Sequence, residues 1–273
     1  MPLPEPRTAD GAAALQLLLT QPELAVLGCD FDGTLAPISQ QPEDARALPG
    51  AVDALAAVAR RLRAVAIISG RPALQVIDLA GFRSAPGLEQ LIVFGQYGRE
   101  RWTAPSDQVE APPTPPSVDA ARGPVTDLVA AAPSGVSLED KGAALVVHVR
   151  GTDDPEAALG EIAPALMKIA LNTGLTIEPA RMAYELRPPG YDKGRALRSL
   201  VEEYAARVVV FVGDDRGDVP AYDMVETLRS EGLAGLTVAS ASPEVEVLQE
   251  RADLVVDGPA GVVEFLQWLA SGS

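Results

Sequence analysis

Two hydrophobic patterns alternate along the chain. Short, nearly continuous apolar runs at residues 24–29, 64–68, 91–94 and 208–212 read as strands buried on both faces. Between them lie Ala/Leu-rich stretches with helical spacing. Residues 49–62 place Val52, Leu55, Val58 and Leu62 along one face. A helix is expected from Pro72, because proline suits a first helical turn, and another over 193–206. Strands at 236–239 and 253–256 and a helix near 261–270 complete the series. This alternation predicts an α/β fold with a doubly wound, Rossmann-like parallel core.

The pattern changes in the middle of the chain. Residues 104–117 are proline-rich and read as a loop. A helix is expected over 118–132, strands over 136–139 and 143–150, a helix over 155–172, and strands over 175–179 and 183–187. Two α-β-β units in succession predict a small antiparallel sheet with helices on one face. The expected partition is a core of residues 1–98 and 188–273, with an inserted α+β domain at 99–187.

Composition narrows the partners. The 273 residues carry a formal charge of -16, which argues against a nucleic-acid partner, since phosphate backbones call for a basic surface. An anionic substrate would then need a local positive cluster. No stretch has a membrane-spanning length. The N-terminal stretch has no basic region of the signal-peptide kind, and the single cysteine, Cys29, permits no intrachain disulfide. A cytoplasmic protein is expected. There are 19 arginines and only three lysines, Lys141, Lys168 and Lys193, so a retained lysine suggests a need for a compact ammonium.

The chemistry gathers at the ends of core elements. The first strand runs into Asp30-Phe31-Asp32-Gly33-Thr34. Two carboxylates so placed point to a cation, a shared proton or a nucleophile–acid pair. The second strand ends in Ser69-Gly70-Arg71, Lys193 opens a helix, and the 208–212 strand ends at Gly213-Asp214-Asp215, with Asp218 close behind. Alone, each reads equally as a solvated turn or helix cap. Together, at the carboxyl edge of a parallel sheet, they supply carboxylates, a hydroxyl and an ammonium where such folds bind ligands. Oxygen donors suit Mg²⁺. Zinc is a poor fit, because the only histidine, His148, lies in a strand-like run away from the cluster. The same parts suit phosphoryl transfer: a carboxylate attacks phosphorus, a second moves the proton, and Ser69, Lys193 and the cation meet the phosphoryl charge.

These motifs, in this order, resemble those of the haloacid dehalogenase superfamily. The stretches DFDGTLAPI, ISGR, LEDKGAALVVHVR, YELRPPGYDKGRAL and GDDRGD are similar to its trehalose-6-phosphate phosphatase family. The resemblance implies a Mg²⁺-dependent phosphatase that forms an aspartyl-phosphate. Asp30 would be the nucleophile, Asp32 the acid/base, and Asp30, Asp32 and Asp214 the metal ligands, with Asp215 and Asp218 behind them. Thr34, Ser69, Gly70 and Lys193 would hold phosphate. Arg71, Tyr97, Glu139, Lys141, Arg150, Arg181 and Glu185 would face the sugar, the inserted domain serving as a specificity cap. Two departures stand out: Tyr97 where the family often has histidine, and Gly217 where it often has threonine.

The implied partner is a small sugar phosphate, made by a separate trehalose-6-phosphate synthase, since 273 residues leave no room for a fused glycosyltransferase. Another phosphosugar, such as sucrose phosphate or a mannosylated phosphoglycerate, is the alternative substrate. A phosphomutase and a catalytically silent sugar-phosphate sensor are the alternative classes.

Overall fold

The computed structural model describes residues 5–39, 42–180, 182–241 and 246–272. In chain order the main elements are α1 (Ala9–Thr20), β1 (Ala25–Cys29), α2 (Ala51–Ala59), β2 (Ala64–Ile68), α3 (Ala73–Ala80), β3 (Ile92–Gly95), β4 (Glu100–Thr103) and β5 (Gln108–Glu110). There follow α4 (Pro116–Ala131), β6 (Ser137–Asp140), β7 (Leu145–His148), α5 (Pro155–Thr173), β8 (Thr176–Ala180) and β9 (Ala183–Arg187). The chain ends with α6 (Lys193–Glu203), β10 (Val208–Gly213), α7 (Val219–Ser230), β11 (Ala234–Ser240), α8 (Glu246–Arg251), β12 (Leu254–Val256) and α9 (Gly258–Ser271).

An eight-stranded sheet in the order β12-β11-β10-β1-β2-β3-β4-β5 forms the first unit. Strands β12 to β3 run parallel, and β4 and β5 extend the edge antiparallel. Period-2 geometry splits each of the six parallel strands between two cores. On β1, Ala25, Leu27 and Cys29 join the side chains of α1, α2 and α9, while Val26 joins those of α6 and α7. The continuous apolar runs are thus explained: each strand has helices on both faces. From β1 the chain winds outward through β2 and β3, and later through β10, β11 and β12 on the other side. The β1/β10 boundary is therefore the switch point of the sheet, where ligands of open α/β folds sit.

The second unit is a four-stranded antiparallel sheet in the order β6-β7-β9-β8. Leu145, Val147 and Leu186 pack on Val118, Ala121 and Val125 of α4 and on Ala158, Ile162 and Leu166 of α5. Alternation puts Glu139, Val146, His148, Glu178 and Glu185 on the opposite face.

The boundaries differ from the expected ones. The compact units are residues 1–111 with 192–273, and 112–191. Residues 99–111 stay with the first unit because β4 pairs with β3, placing Trp102 opposite Val93, where its indole is buried. Burial of so large a side chain outweighs the turn signals around it. The proline-rich 104–117 stretch is likewise not all loop. It contains β5, and Pro116 opens α4 at a position where the missing N–H costs nothing.

Candidate active site

Asp30 and Asp214 emerge side by side. β1 and β10 are parallel neighbours, with Cys29 opposite Val212, and the Asp30 N–H donates to Val212 O at 2.9 Å. β1 ends at Cys29 and runs directly into Asp30, and β10 ends at Gly213 and runs directly into Asp214. Asp30, Asp214, Asp215 and Asp218 bring carboxylate oxygens within 4.8 Å of one another. Asp30, Asp214 and Asp218 are buried, and Asp215 is exposed.

A tight loop carries the chain away from Asp30. Leu35 and Ala36 N–H both donate to Phe31 O at 2.9 Å, and Gly33 N–H donates to Ala36 O at 2.7 Å. Gly33 has φ +72°, and a Cβ there would collide with the Asp214 carboxylate. Ser240 Oγ pins the loop by donating to Gly33 O at 2.7 Å. Thr34 Oγ1 donates to Asp214 Oδ1 at 3.3 Å. Its hydroxyl thus steadies a carboxylate of the cluster.

Lys193 is the cation of the cluster. Asp192 caps α6 by accepting from Arg195 N, which sets Lys193 at the first turn. The buried Nζ lies 2.7 Å from Asp30 Oδ1 and 2.7 Å from Asp218 Oδ1. Asp218 Oδ2 also accepts from Asp214 N at 2.9 Å and Asp215 N at 3.2 Å. Asp218 therefore ties the 214–215 backbone to Lys193.

The charges do not balance. Three buried carboxylates and Asp215 face one ammonium. Burial, then repulsion from Asp30, Asp218 and Asp215, pushes the Asp214 carboxyl up to about 10. Burial and Asp218 push Asp30 well above the carboxylate range, against the pull of Lys193. Burial alone would lower Lys193, but Asp218 and Asp30 outweigh it and hold the ammonium well above its ordinary pKa. An all-oxygen set with excess negative charge fits a hard divalent cation.

Asp32 lies outside this set. Its carboxylate takes a two-bond fork from Arg71, with Nε to Oδ2 at 2.6 Å and the terminal nitrogen to Oδ1 at 2.7 Å. Ser69, at the end of β2, accepts the Arg71 N–H on Oγ at 3.1 Å. Tyr97, just beyond β3, donates its N–H to Ser69 O at 2.9 Å. Tyr97 has φ +60°, and its ring covers Gly70 so closely that a Cβ there would lie 2.8 Å from Cζ and Oη. Only glycine permits that contact.

The description of the protein family trehalose-phosphatase matches residues 29–256, from the end of β1 to the end of β12. The chain belongs to the trehalose-phosphatase family. Among curated members it is 33% identical to a trehalose-phosphate phosphatase of Mycobacterium marinum over 93% of this chain and 63% of that protein. It is 31% identical to one of Mycobacterium leprae over 88% of this chain and 56% of that protein. The chain thus spans about three-fifths of the length of these relatives. Its fold is shared with the C-terminal domain of a C. albicans trehalose-6-phosphate phosphatase, at TM-score 0.78, 18% identity and 99% coverage of both chains. It is also shared with the Aspergillus fumigatus trehalose-6-phosphate phosphatase, at TM-score 0.68 and 22% identity, over 99% of this chain and 100% of that one.

In this family member the motif residues of the first unit meet around the β1/β10 switch point, as four elements converge there. The second unit gathers another polar group. Lys141 Nζ lies 3.1 Å from Glu185 Oε1, and Glu185 is buried. His148 Nε2 lies 2.8 Å from Glu139 Oε2, and Arg150 reaches His148 Nδ1 at 2.7 Å. Arg181 lies outside the described residues.

Several features escape sequence reasoning. The Arg71 fork joins residues 39 positions apart, and the expectation placed Arg71 at the sugar. Asp218 is in direct contact with Lys193, a pairing across 25 positions that no spacing along the chain signals. Glu100, three residues after Tyr97, is given no role from sequence, yet its carboxylate accepts the first N–H of α3 from Ala73 at 2.7 Å. Among the described residues, no helix is long and apolar enough to cross a membrane.

Proposed function

We propose that the chain is a Mg²⁺-dependent phosphatase that hydrolyses trehalose 6-phosphate to trehalose and phosphate. The observation that carries this reading is the buried Asp30–Lys193–Asp218 array beside Asp214, at the switch point of a trehalose-phosphatase fold.

Lys193 holds Asp30 Oδ1, which leaves Oδ2 as the attacking atom. Oδ2 bonds to phosphorus as the bond to the sugar oxygen breaks. The leaving oxygen takes a proton from Asp32. Asp32 then takes a proton from water, whose oxygen attacks the phosphorus of the aspartyl-phosphate and releases Asp30 and phosphate. Ser69 Oγ–H and the N–H groups near Gly70 supply donors to the phosphoryl oxygens, and Lys193 meets part of their charge. Asp30, Asp214 and the backbone carbonyl of Asp32 would hold the metal, supported by Asp215 and Asp218, and the metal would supply charge neutralisation at the phosphoryl group. The Arg71 fork steadies Asp32 between proton transfers.

Sugar recognition is assigned to Glu139, Lys141, Arg150 and Glu185 of the second unit, with Tyr97 and Arg71. Mixed carboxylates and cations suit a ligand covered in hydroxyls. A cytoplasmic setting, with the substrate made by a separate synthase, belongs to the same reading.

Phosphate release from a panel of trehalose 6-phosphate, sucrose 6-phosphate, glucose 6-phosphate and mannosyl phosphoglycerate tests the substrate. The expected result is a preference of at least about a hundredfold in kcat/KM for trehalose 6-phosphate, or about 2.7 kcal/mol. Equal turnover across the panel would overturn the sugar assignment and leave the phosphatase chemistry standing.

A further inference from the structure

Three polar side chains on one face of the second unit form a line. Glu139 on β6 is opposite Val146 on β7, and His148 lies two residues beyond Val146. Glu139 and His148 are therefore diagonal neighbours on the same face. His148 Nε2 is 2.8 Å from Glu139 Oε2, and an Arg150 terminal nitrogen is 2.7 Å from His148 Nδ1. The imidazole is largely shielded, at 13% side-chain exposure, against 34% for Glu139.

These contacts assign the protons. A guanidinium has donors and no acceptor. Nδ1 must therefore present its lone pair to Arg150, which puts the ring proton of the neutral imidazole on Nε2. That N–H donates to Glu139. A proton on Nδ1 would set two N–H groups against each other at 2.7 Å.

The terminal torsion of a glutamate is broad, so its carboxylate direction is soft unless something holds it. Hydroxyl recognition depends on acceptor direction. On this face Glu185 is already steadied by Lys141 at 3.1 Å. We propose that His148 does the same for Glu139. It is a positioning residue, locked in the Nε2–H tautomer by Arg150, which aims a sugar-recognising carboxylate without touching the sugar. The sugar-recognising part rests on the functional reading above.

The chain contains a single histidine, so its ring nitrogens give one pair of ¹⁵N resonances. At neutral pH the full chain is expected to show the Nε2–H tautomer. In Glu139→Ala the Nε2 proton should exchange with water at least about tenfold faster, since a charge-assisted bond has been lost. An Nδ1–H or doubly protonated ring, or exchange unaffected by Glu139→Ala, would overturn the proposal. The kinetic arm uses two isosteres. Gln at 148 can keep a donor near the Nε2 position, whereas Asn reaches only the Nδ1 position. His148→Asn should raise KM for trehalose 6-phosphate about tenfold with kcat within about twofold, and His148→Gln should restore most of that loss. Turnover of p-nitrophenyl phosphate, which has no sugar, should be unchanged in both. Equal damage from Asn and Gln, or equal damage on p-nitrophenyl phosphate, would overturn the positioning role. If the wild type turns over p-nitrophenyl phosphate but no trehalose 6-phosphate, the substrate reading fails, and the ¹⁵N result alone then upholds or overturns the His148–Glu139 link.

Discussion

Gly33 leaves open the space that the Asp214 carboxylate fills. With φ +72° it adopts a conformation other residues avoid, and any Cβ at this position would strike Asp214. The same glycine closes the loop between Asp30 and Ala36. Gly33→Ala should therefore lower stability by about 1–3 kcal/mol and cut turnover more than tenfold, because the loop and the carboxylate cannot both keep their places. Thermal unfolding and phosphate release measure the two effects. An alanine variant with normal activity would remove the proposed constraint.

Asp30→Asn should separate stability from activity. The substitution abolishes the nucleophile, so phosphate release should fall to background. It also removes one of four crowded carboxylates, while Lys193 keeps its 2.7 Å bond to Asp218. In chelator, the variant should melt at the wild-type temperature or about 2–4 °C above it. Lys193→Met should do the opposite, losing several kcal/mol by leaving Asp30 and Asp218 buried without their cation. Differential scanning calorimetry of both variants decides the ordering.

Arg71→Lys distinguishes two roles for the arginine. A lysine cannot reproduce the fork on Asp32 Oδ1 and Oδ2. If Arg71 acts through Asp32, kcat should fall about tenfold or more for p-nitrophenyl phosphate and trehalose 6-phosphate alike, about 1.4 kcal/mol of barrier. A rise in KM confined to the sugar substrate would instead place Arg71 at the sugar alone.

Metal removal should make stability depend on pH. The Asp214 carboxyl titrates near 10 in the fold against 3.8 ordinarily, and Asp30 is raised for the same reasons. The folded state thus binds more protons than the unfolded state between those values. The stability so contributed is fully present below about pH 4 and is lost as pH rises toward 10. In chelator the melting temperature should fall between pH 6 and pH 9, and saturating Mg²⁺ should suppress that fall. A flat profile in chelator would contradict the charge imbalance described for the cluster.

Cys29 should be inert in the folded protein. It is buried directly before Asp30, and burial followed by repulsion from Asp30, Asp218 and Asp214 raises its thiol well above the ordinary value, against a smaller opposing pull from Lys193. Iodoacetamide at pH 8 should label it only after denaturation, as read by mass spectrometry. Rapid native labelling would show that the β1 edge opens.

Much of this protein was legible from residue order alone. Apolar runs of strand length identify β1, β2, β3 and β10 to within a residue or two, because a parallel strand covered on both faces admits nothing polar. The aspartates, Ser69 and Lys193 stand out because each interrupts such a run or opens the next helix. β4 and β5 were not legible. They are short strands among prolines and turn residues, and only pairing, of β4 with β3 and of β5 with β4, makes them strands.

By itself the sequence determined which groups lie at the carboxyl edge of the sheet, since strand ends and helix starts are local properties. Tertiary structure alone decided how those groups divide. It put Asp32 in the grip of Arg71, brought Asp218 to Lys193, and set His148 between Arg150 and Glu139. An ion pair or hydrogen bond depends on distance and direction in space. Partners brought together by sheet register and winding leave no mark at any fixed spacing along the chain.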